Sequence, residues 1–376
     1  MQKVGITGQS GFMGTHLYNY LKLKNEFQLI DFKDSYFEDS NILENFVAEC
    51  DVIIHLAAMN RHGDPQVIYN TNVGLVDKLI KACEKTKSLP YILFSSSSQE
   101  EKDNLYGKSK LDGRRMLEEW AKRNSARFTG FIIPNVFGPF GHPYYNSVVA
   151  TFCHQLTHNE EPQIQVDGNL KLIYINELTE EFYRFIKEAH LKKEPSVQSY
   201  QVPHTSEKKV SEILSLLKNI KAGYFENGML PSLNNQFERN LFNTFVCYMD
   251  IKNHFPVKYT LHSDERGSFV ETVKLNSGGQ VSFSTTKPGI IRGNHYHTRK
   301  AERFAVIKGK ARIQLRRIGT DEIFEFYLDG NEPAYVDMPI WYTHNITNIG
   351  EDEVYTIFWI SEHFNPEDTD TFFEEV

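Results

Sequence analysis

Residues 3–23 read KVGITGQSGFMGTHLYNYLKL, and the order of residue types in this stretch decides the fold of the front half of the chain. A short apolar run, Lys3–Thr7, leads into Gly8, Gly11 and Gly14 at GxxGxxG spacing, and a helical pattern, THLYNYLKL, follows. Glycine is needed where backbone must approach a pyrophosphate, and the helix N-terminus behind it offers free N–H groups and a positive dipole end. A glycine pattern alone is weak; the strand before it and the helix after it supply the context of a dinucleotide site. Thr7, Gly8, Ser10, Gly11, Phe12, Met13 and Gly14 are therefore candidate cofactor contacts. The next apolar run, FQLID, ends at Asp31, roughly 20 residues on as such a site requires. An acid there suits the ribose 2′-hydroxyl of NAD. Lys33, two residues later, suits the 2′-phosphate of NADP, so both cofactors stay open at this point.

Working outward, two textures divide the 376 residues. Up to about residue 245, apolar runs such as DVIIHLAA and YILFSSSS alternate with helical patterns such as NVGLVDKLIKACEKTK, as a parallel sheet with crossover helices requires. From about residue 257, short alternating runs (GQVSFSTT, ERFAVIKGKARIQLR, EVYTIFWI) are separated by turn residues, which predicts an antiparallel sandwich or barrel. Pro256 in DIKNHFP breaks the helical pattern between them, giving expected domains 1–249 and 250–376. Lys+Arg is 41 and Asp+Glu 49, a net charge of −8, which argues against nucleic acid or an anionic membrane as the main partner. No apolar stretch reaches the ~18 residues of a membrane helix. The start has no apolar leader, so a cytoplasmic protein is expected. Cys50, Cys83, Cys153 and Cys247 are scattered without CxxC and read as reduced, mostly buried side chains.

Tyr106-Gly-Lys-Ser-Lys110 puts a phenol and an ammonium four residues apart, on one helical face. Lys110 is expected to favour phenolate and so lower the pKa of Tyr106. With 19 tyrosines the spacing would recur by chance, so context matters. The context is the serine run Ser95–Ser98 just upstream, whose hydroxyls can hold a substrate carbonyl. Taken with TGxxGxxG, HLAA (55–58), Asn72 and PNVFGP (134–139), this stretch resembles the extended short-chain dehydrogenase/reductase family over about residues 1–245. The resemblance implies a Rossmann fold, a nicotinamide cofactor and a nucleotide-sugar substrate. By position it makes Tyr106 the proton donor, Lys110 its partner at the nicotinamide ribose, and Ser97 the carbonyl-holding serine, with Ser96 as the fallback. It adds Leu56, Ala57, Ala58 and Asn72 to the cofactor contacts. Where many members carry arginine, this chain reads FIIPN and NLKLIYINE.

The rear half holds Gly289-x5-His295-Tyr-His297-x4-Glu302-x6-Gly309 and, later, Pro339-x-Trp-x2-His344-x3-Asn348. Alternate strand residues share a face, so His295 and His297 point the same way, with Glu302 and His344 expected from neighbouring strands. Three imidazoles and a carboxylate suit a borderline divalent ion such as Zn2+. The two segments resemble the paired motifs of the cupin family, with Trp341 in place of the usual glycine. DERGSFVE (264–271), IIRGNHYH (290–297) and SEHFNP narrow the likeness to sugar-nucleotide 3,5-epimerases. In that metal-free family the histidine at the His295 position is the base and a late tyrosine is the acid. The late position here is Phe358, which leaves Tyr296, Lys300, Tyr342 and Tyr355 as substitute acid/base candidates.

Over its whole length the chain resembles the CapF-type bifunctional enzymes of capsule and O-antigen sugar synthesis, on NHYH with Glu302, PxWYTHNITN, DNLYGKSK and YNSVVATFC. That resemblance implies a Rossmann-type doubly wound parallel sheet followed by an all-β cupin. It implies C3 epimerisation of a UDP-linked 4-keto-6-deoxy-N-acetylhexosamine in the cupin, then NADPH-dependent reduction of the C4 ketone. The implied product is UDP-2-acetamido-2,6-dideoxy-L-talose, a precursor of UDP-N-acetyl-L-fucosamine. A homodimer is expected, because cupins commonly pair sheets across a two-fold axis. The alternatives are a single-activity UDP-sugar 4-ketoreductase carrying a non-catalytic zinc cupin, and an NAD-using 4-reductase or 4-epimerase.

Overall fold

The structure is a computed structural model, and it describes all residues except 192–193, 266 and 277. Residue 266 belongs to the DERGSFVE segment and lies outside the described residues. The chain divides into two compact units, Met1–Thr151 with Val166–Val210, and Phe152–Gln165 with Ser211–Val376.

The first unit holds β1 (Gln2–Thr7), α1 (Phe12–Lys22), β2 (Phe27–Ile30), α2 (Ser40–Glu49), β3 (Val52–His55), α3 (Pro65–Thr86), β4 (Tyr91–Ser97), α4 (Leu105–Asn124) and β5 (Arg127–Ile133). Further along are β6 (Asn135–Phe137), α5 (Val148–Thr157, which runs across the division), β7 (Asn169–Tyr174), α6 (Ile175–Leu191), β8 (Ser196–Gln201) and β9 (Ser206–Lys209). A six-stranded sheet runs in the order β2-β1-β3-β4-β5-β8, and every pairing in it is parallel. The near-continuous apolar runs seen in the sequence are the signature of strands covered on both faces. On one face Phe46, Val76, Leu79, Leu117 and Trp120 of α2, α3 and α4 pack over Ile53, Ile92 and Phe128. On the other, Leu17 of α1 and Phe182 of α6 are buried, with Phe182 stacked on Phe131 at 4.5 Å. Each such fully buried side chain contributes about 1.5–3 kcal/mol of transfer free energy. The strand order reverses between β1 and β3, the crevice where doubly wound sheets bind ligands. β6, β7 and β9 form a small separate sheet.

The second unit contains α7 (Val210–Ile220) from its second residue on, α8 (Gln236–Val246), and two antiparallel five-stranded sheets. Their strands are β10 (Val257–Lys258), β11 (Gln280–Thr286), β12 (Ile291–Tyr296), β13 (Glu302–Lys308), β14 (Lys310–Arg317), β15 (Ile323–Asp329), β16 (Ala334–Met338), β17 (Tyr342–Asn348), β18 (Val354–Ile360) and β19 (Phe372–Phe373). One sheet runs β10-β16-β13-β18-β11 and the other β15-β14-β17-β12-β19. This is the cupin-like β domain that the alternating runs predict.

Residues 211–249 belong to this unit, and the buried polar network around Arg303 shows why. The Arg303 guanidinium, 1% exposed, pairs with Asp337 at 2.7 and 2.9 Å and donates to the Gly228 carbonyl at 2.8 Å. Tyr224 donates its hydroxyl to the same Asp337 carboxylate at 2.6 Å. A buried ion pair is tolerated only when its remaining lone pairs and protons are satisfied, and residues 224–228 complete that set. No described helix is long and apolar enough to cross a membrane. All four cysteines are free thiols.

Candidate active sites

In the first unit the glycine loop follows β1 directly. Gly11 caps α1 without a side chain, and its N–H reaches back to the Gly8 carbonyl at 3.0 Å. A Cβ on Gly14 would sit 2.1 Å from the Gly8 oxygen, so only glycine lets α1 pack this close to the loop. Ser10 is exposed and bonds Asp34 at 3.2 Å, and Phe12 and Met13 are half-buried. Asp31 accepts from the Tyr18 hydroxyl at 3.4 Å, and both Asp31 and Lys33 are exposed beside the loop.

The ends of β1, β3 and β4 are stitched into one floor. Thr7 Oγ1 lies 2.7 Å from His55 Nδ1 and accepts from the Ala57 N–H at 3.3 Å. Ser95 donates to the His55 carbonyl at 3.1 Å. Burial, then the Lys110 ammonium, push His55 down to about 3, so it is neutral at any working pH. Leu56 is buried, and Ala57 and Ala58 are half-buried above this floor. Asn72 holds the loop that follows: its Oδ1 accepts from the Met59 N–H at 2.7 Å, and its Nδ2 donates to the Met59 carbonyl and to Ser109, both at 3.0 Å. Its amide is thus engaged with Met59 and Ser109 and steadies the loop after β3.

α4 presents Tyr106 and Lys110 because the Asn104 side chain caps its first turn by accepting from the Gly107 N–H at 2.8 Å. Lys110 is buried, donates to the Ser95 carbonyl at 2.8 Å and lies over the Phe94 ring. Burial brings it down to about 8, with Glu100 pulling the other way. Tyr106 behaves opposite to expectation. Burial pushes its phenol up to about 12, a hydrogen bond from Ser97 opposes this, and Tyr145 adds to the rise. Lys110 turns one N–H to the Ser95 carbonyl, and desolvation dominates at the phenol. Tyr106 is therefore firmly protonated at neutral pH, which is the state a proton donor needs. The two serines also separate. Ser96 is tied to Glu100, which is clamped by Arg114 at 2.7–3.2 Å, whereas Ser97 accepts from the Gln99 N–H at 3.1 Å and is the serine near enough to act on the Tyr106 phenol.

In the barrel, four ligand atoms from His295, His297, Glu302 and His344 lie within 4.8 Å of one another. His295 and His344 are directly paired across β12 and β17, and Glu302 comes from the facing sheet on β13. A bulge aims His295: Gly293 has φ +102° and Asn294 +56°, and a Cβ on Gly293 would meet the His344 carbonyl at 2.7 Å. Trp341, where the cupin motif has glycine, takes the same left-handed conformation at φ +62° and is buried against Tyr296.

The donor chemistry of the cluster fits a cation. His344 Nδ1 lies 3.2 Å from the Tyr342 carbonyl, and His297 Nδ1 lies 2.5 Å from the Asp370 carbonyl. Carbonyls only accept, so these nitrogens carry the protons and the Nε2 lone pairs are left facing Glu302 Oε2, at 3.1 and 3.3 Å. His297 Nε2 is buried and has no well-formed hydrogen bond among the described residues. Lone pairs facing a carboxylate need a positive charge between them. Burial works against a charged Glu302; positive charge at the His297 and His344 side outweighs it and holds the carboxyl well below its usual range, and with both imidazoles neutral that charge has to come from a cation. Burial and the neighbouring imidazoles bring His295 down to about 4, leaving it neutral and able to ligate.

Comparison with known proteins bears on both units. Residues 4–197 match the model of the NAD dependent epimerase/dehydratase family, and residues 262–372 match the polysaccharide biosynthesis C-terminal domain. A UDP-2-acetamido-2,6-beta-L-arabino-hexul-4-ose reductase of Pseudomonas aeruginosa is 32% identical over 373 residues, 98% of each chain. The chain belongs to the NAD dependent epimerase/dehydratase family. Within it, full-length similarity groups the chain with the CapF-type proteins: the capsular polysaccharide assembling protein CapF of Staphylococcus aureus matches with a TM-score of 0.63 at 35% identity over all of both chains. RMD from P. aeruginosa, solved with NADPH, matches over 59% of this chain and 83% of its own with a TM-score of 0.52 at 21% identity, a likeness of fold.

For a CapF-type chain, the acid/base candidates of the barrel fare unevenly. Lys300 is buried and donates to the Thr369 carbonyl at 2.7 Å. Tyr296 alternates with His295 and His297, so it points away from them, between Trp341 and Phe372. Tyr342 is buried, and Tyr355 lies under Lys308. Phe358 pairs with Phe304, whose ring stands 5.8 Å from His344, so the late position does face the cluster but carries no hydroxyl. Sequence reasoning missed Asp370 and Tyr145. Asp370 belongs to no motif, Tyr145 opens YNSVVATFC without an assigned role there, and only folding brings them to the sites.

Proposed function

We propose that this enzyme reduces the C4 ketone of a UDP-linked 4-keto-6-deoxy-N-acetylhexosamine with NADPH, after epimerising C3 in the barrel. Residues 1–249 would carry the reduction and 250–376 the epimerisation, in a cytoplasmic homodimer, with zinc on His295, His297, Glu302 and His344. The product would be UDP-2-acetamido-2,6-dideoxy-L-talose. The observation that carries the reading is Tyr106 and the buried Lys110 on one face of α4, with Lys110 bonded to the Ser95 carbonyl at the end of β4, in the same chain as a convergent three-imidazole, one-carboxylate cluster. The name of the P. aeruginosa relative, a UDP-linked 2-acetamido-hexul-4-ose reductase, supports the substrate class.

When bound, NADPH supplies the hydride for the sugar C4. Ser97 holds the ketone oxygen and Tyr106 gives it the proton as charge develops there. The buried Lys110 fixes the Ser95 carbonyl and so the end of β4. Lys33 would pair with the 2′-phosphate. When bound, zinc supplies a Lewis acid for the charge that develops as the C3 proton leaves. The order of reactions follows from carbonyl chemistry: the C3 proton is labile only while C4 is a ketone, so epimerisation precedes reduction.

A second reading, a single-activity 4-ketoreductase with a non-catalytic zinc cupin, is favoured by Phe358 and by the commitment of Lys300 to a backbone carbonyl. One experiment separates the two. The purified protein is incubated with the UDP-4-keto sugar in heavy water, with and without NADPH, and followed by mass spectrometry. Deuterium at C3 without NADPH supports the two-step reading; reduction without any C3 exchange leaves the single-activity reading standing.

A further inference from the structure

Asp370 lies 73 residues beyond His297 and grips it twice over. Its carbonyl accepts from His297 Nδ1 at 2.5 Å. Its carboxylate takes the backbone that follows that histidine: Oδ1 accepts from the Thr298 N–H at 3.1 Å and hydroxyl at 2.6 Å, and Oδ2 from the Arg299 and Lys300 N–H groups at 3.0 and 3.2 Å. Lys300 returns the contact by donating to the Thr369 carbonyl. Asp370 is 4% exposed and sits at φ +41°, a left-handed conformation that aspartate tolerates better than most side chains. Just beyond it, β19 pairs with β12 at His295 and Tyr296. A buried carboxylate with four donors is a strong anchor, and here it anchors a turn between two candidate ligands, His297 and Glu302.

We propose that Asp370 is the positioning residue of the barrel's metal site. Its carboxylate fixes the 298–300 turn and its carbonyl selects the His297 tautomer that turns Nε2 toward Glu302 and His344. The assignment rests on the metal reading above. Partners of this kind set the ring orientation of a ligating histidine, and their loss typically lowers metal affinity about 10–100-fold. Reciprocity then requires that metal steady the segment carrying Asp370.

The test uses the full chain. Zn2+ affinity is measured by competition with a chromophoric chelator, and the visible spectrum is recorded after Co2+ substitution, for the natural protein, Asp370→Ala and Asp370→Asn. Asp370→Ala should weaken Zn2+ about 10–100-fold and shift the Co2+ bands. Asp370→Asn, which keeps one acceptor, should lie between. Amide exchange at residues 368–375 should slow when Zn2+ is added to the natural protein, a measurement that needs no variant to fold. Equal Zn2+ affinity and an unaltered Co2+ spectrum in Asp370→Ala, or exchange indifferent to Zn2+, overturn the assignment and leave the metal site standing. A natural protein that binds no Zn2+ overturns the metal reading itself.

Discussion

At the strand ends of the first unit, donors meet acceptors: Lys110 with the Ser95 carbonyl, Ser95 with the His55 carbonyl, the Gln99 N–H with Ser97. In the barrel, acceptors converge on acceptors, two imidazole lone pairs against one carboxylate. The first arrangement is a hydrogen-bond network with its partners already in place. The second is a charge imbalance that a cation would resolve. Both motifs read with equal ease, yet one describes a completed hydrogen-bond network and the other a cluster of ligand atoms that could hold a metal ion. The two regions should therefore respond to different perturbations.

The largest effect should come from Tyr106→Phe. NADPH oxidation should fall about 10³-fold while C3 deuterium exchange continues at its normal rate. Reductase turnover close to that of the natural protein would remove Tyr106 from its role. Next, Ser97→Ala should lower the reductase kcat about 10²-fold, because a donor to the developing oxyanion is lost. Ser96→Ala should change it less than about threefold, since Ser96 serves Glu100. A reversed ranking in steady-state kinetics would reassign the two hydroxyls. In the barrel, His344→Ala should lose bound zinc by elemental analysis and slow C3 exchange about 10²-fold, with reduction of a pre-epimerised substrate intact. Persistent exchange in zinc-free protein would reduce the cluster to a structural site.

A smaller effect separates the regions by pH. Lys110, held down to about 8, loses its charge as pH rises through that value, whereas Tyr106 near 12 keeps its proton. kcat/KM for NADPH oxidation should decline above about pH 8, and Lys110→Arg, which stays charged, should shift that limb upward. A flat profile to pH 10 would show that the charge of Lys110 is not needed. Smallest, Lys33→Ala should raise KM for NADPH about tenfold and leave KM for NADH unchanged, the loss of one charge-assisted contact. Equal changes for both cofactors would assign Lys33 no part in their discrimination.

Much of this was legible in residue order. The glycine loop, the Tyr106–Lys110 face and the His295, His297, Glu302, His344 set are local patterns whose meaning depends on strand and helix periods. What folding added depends on burial or on distant partners. Ser96 and Ser97 are chemically alike, and only Glu100, clamped by Arg114 from α4, tells them apart. The rise of the Tyr106 pKa comes from desolvation, which residue spacing does not encode. Asn72 sits in its motif but spends its amide on Met59 and Ser109. Asp370 meets its histidine across 73 residues.

The Arg303 network has a practical consequence for dissecting the molecule. A polypeptide beginning at residue 250 would still hold the guanidinium and its carboxylate, but Tyr224 and the Gly228 carbonyl would be gone and the pair would meet solvent on that side. A fragment meant to fold alone needs residues 211–249 with the barrel, and also residues 152–165, which belong to the same unit and reach it through Thr157, whose hydroxyl donates to the Tyr248 carbonyl at 2.9 Å.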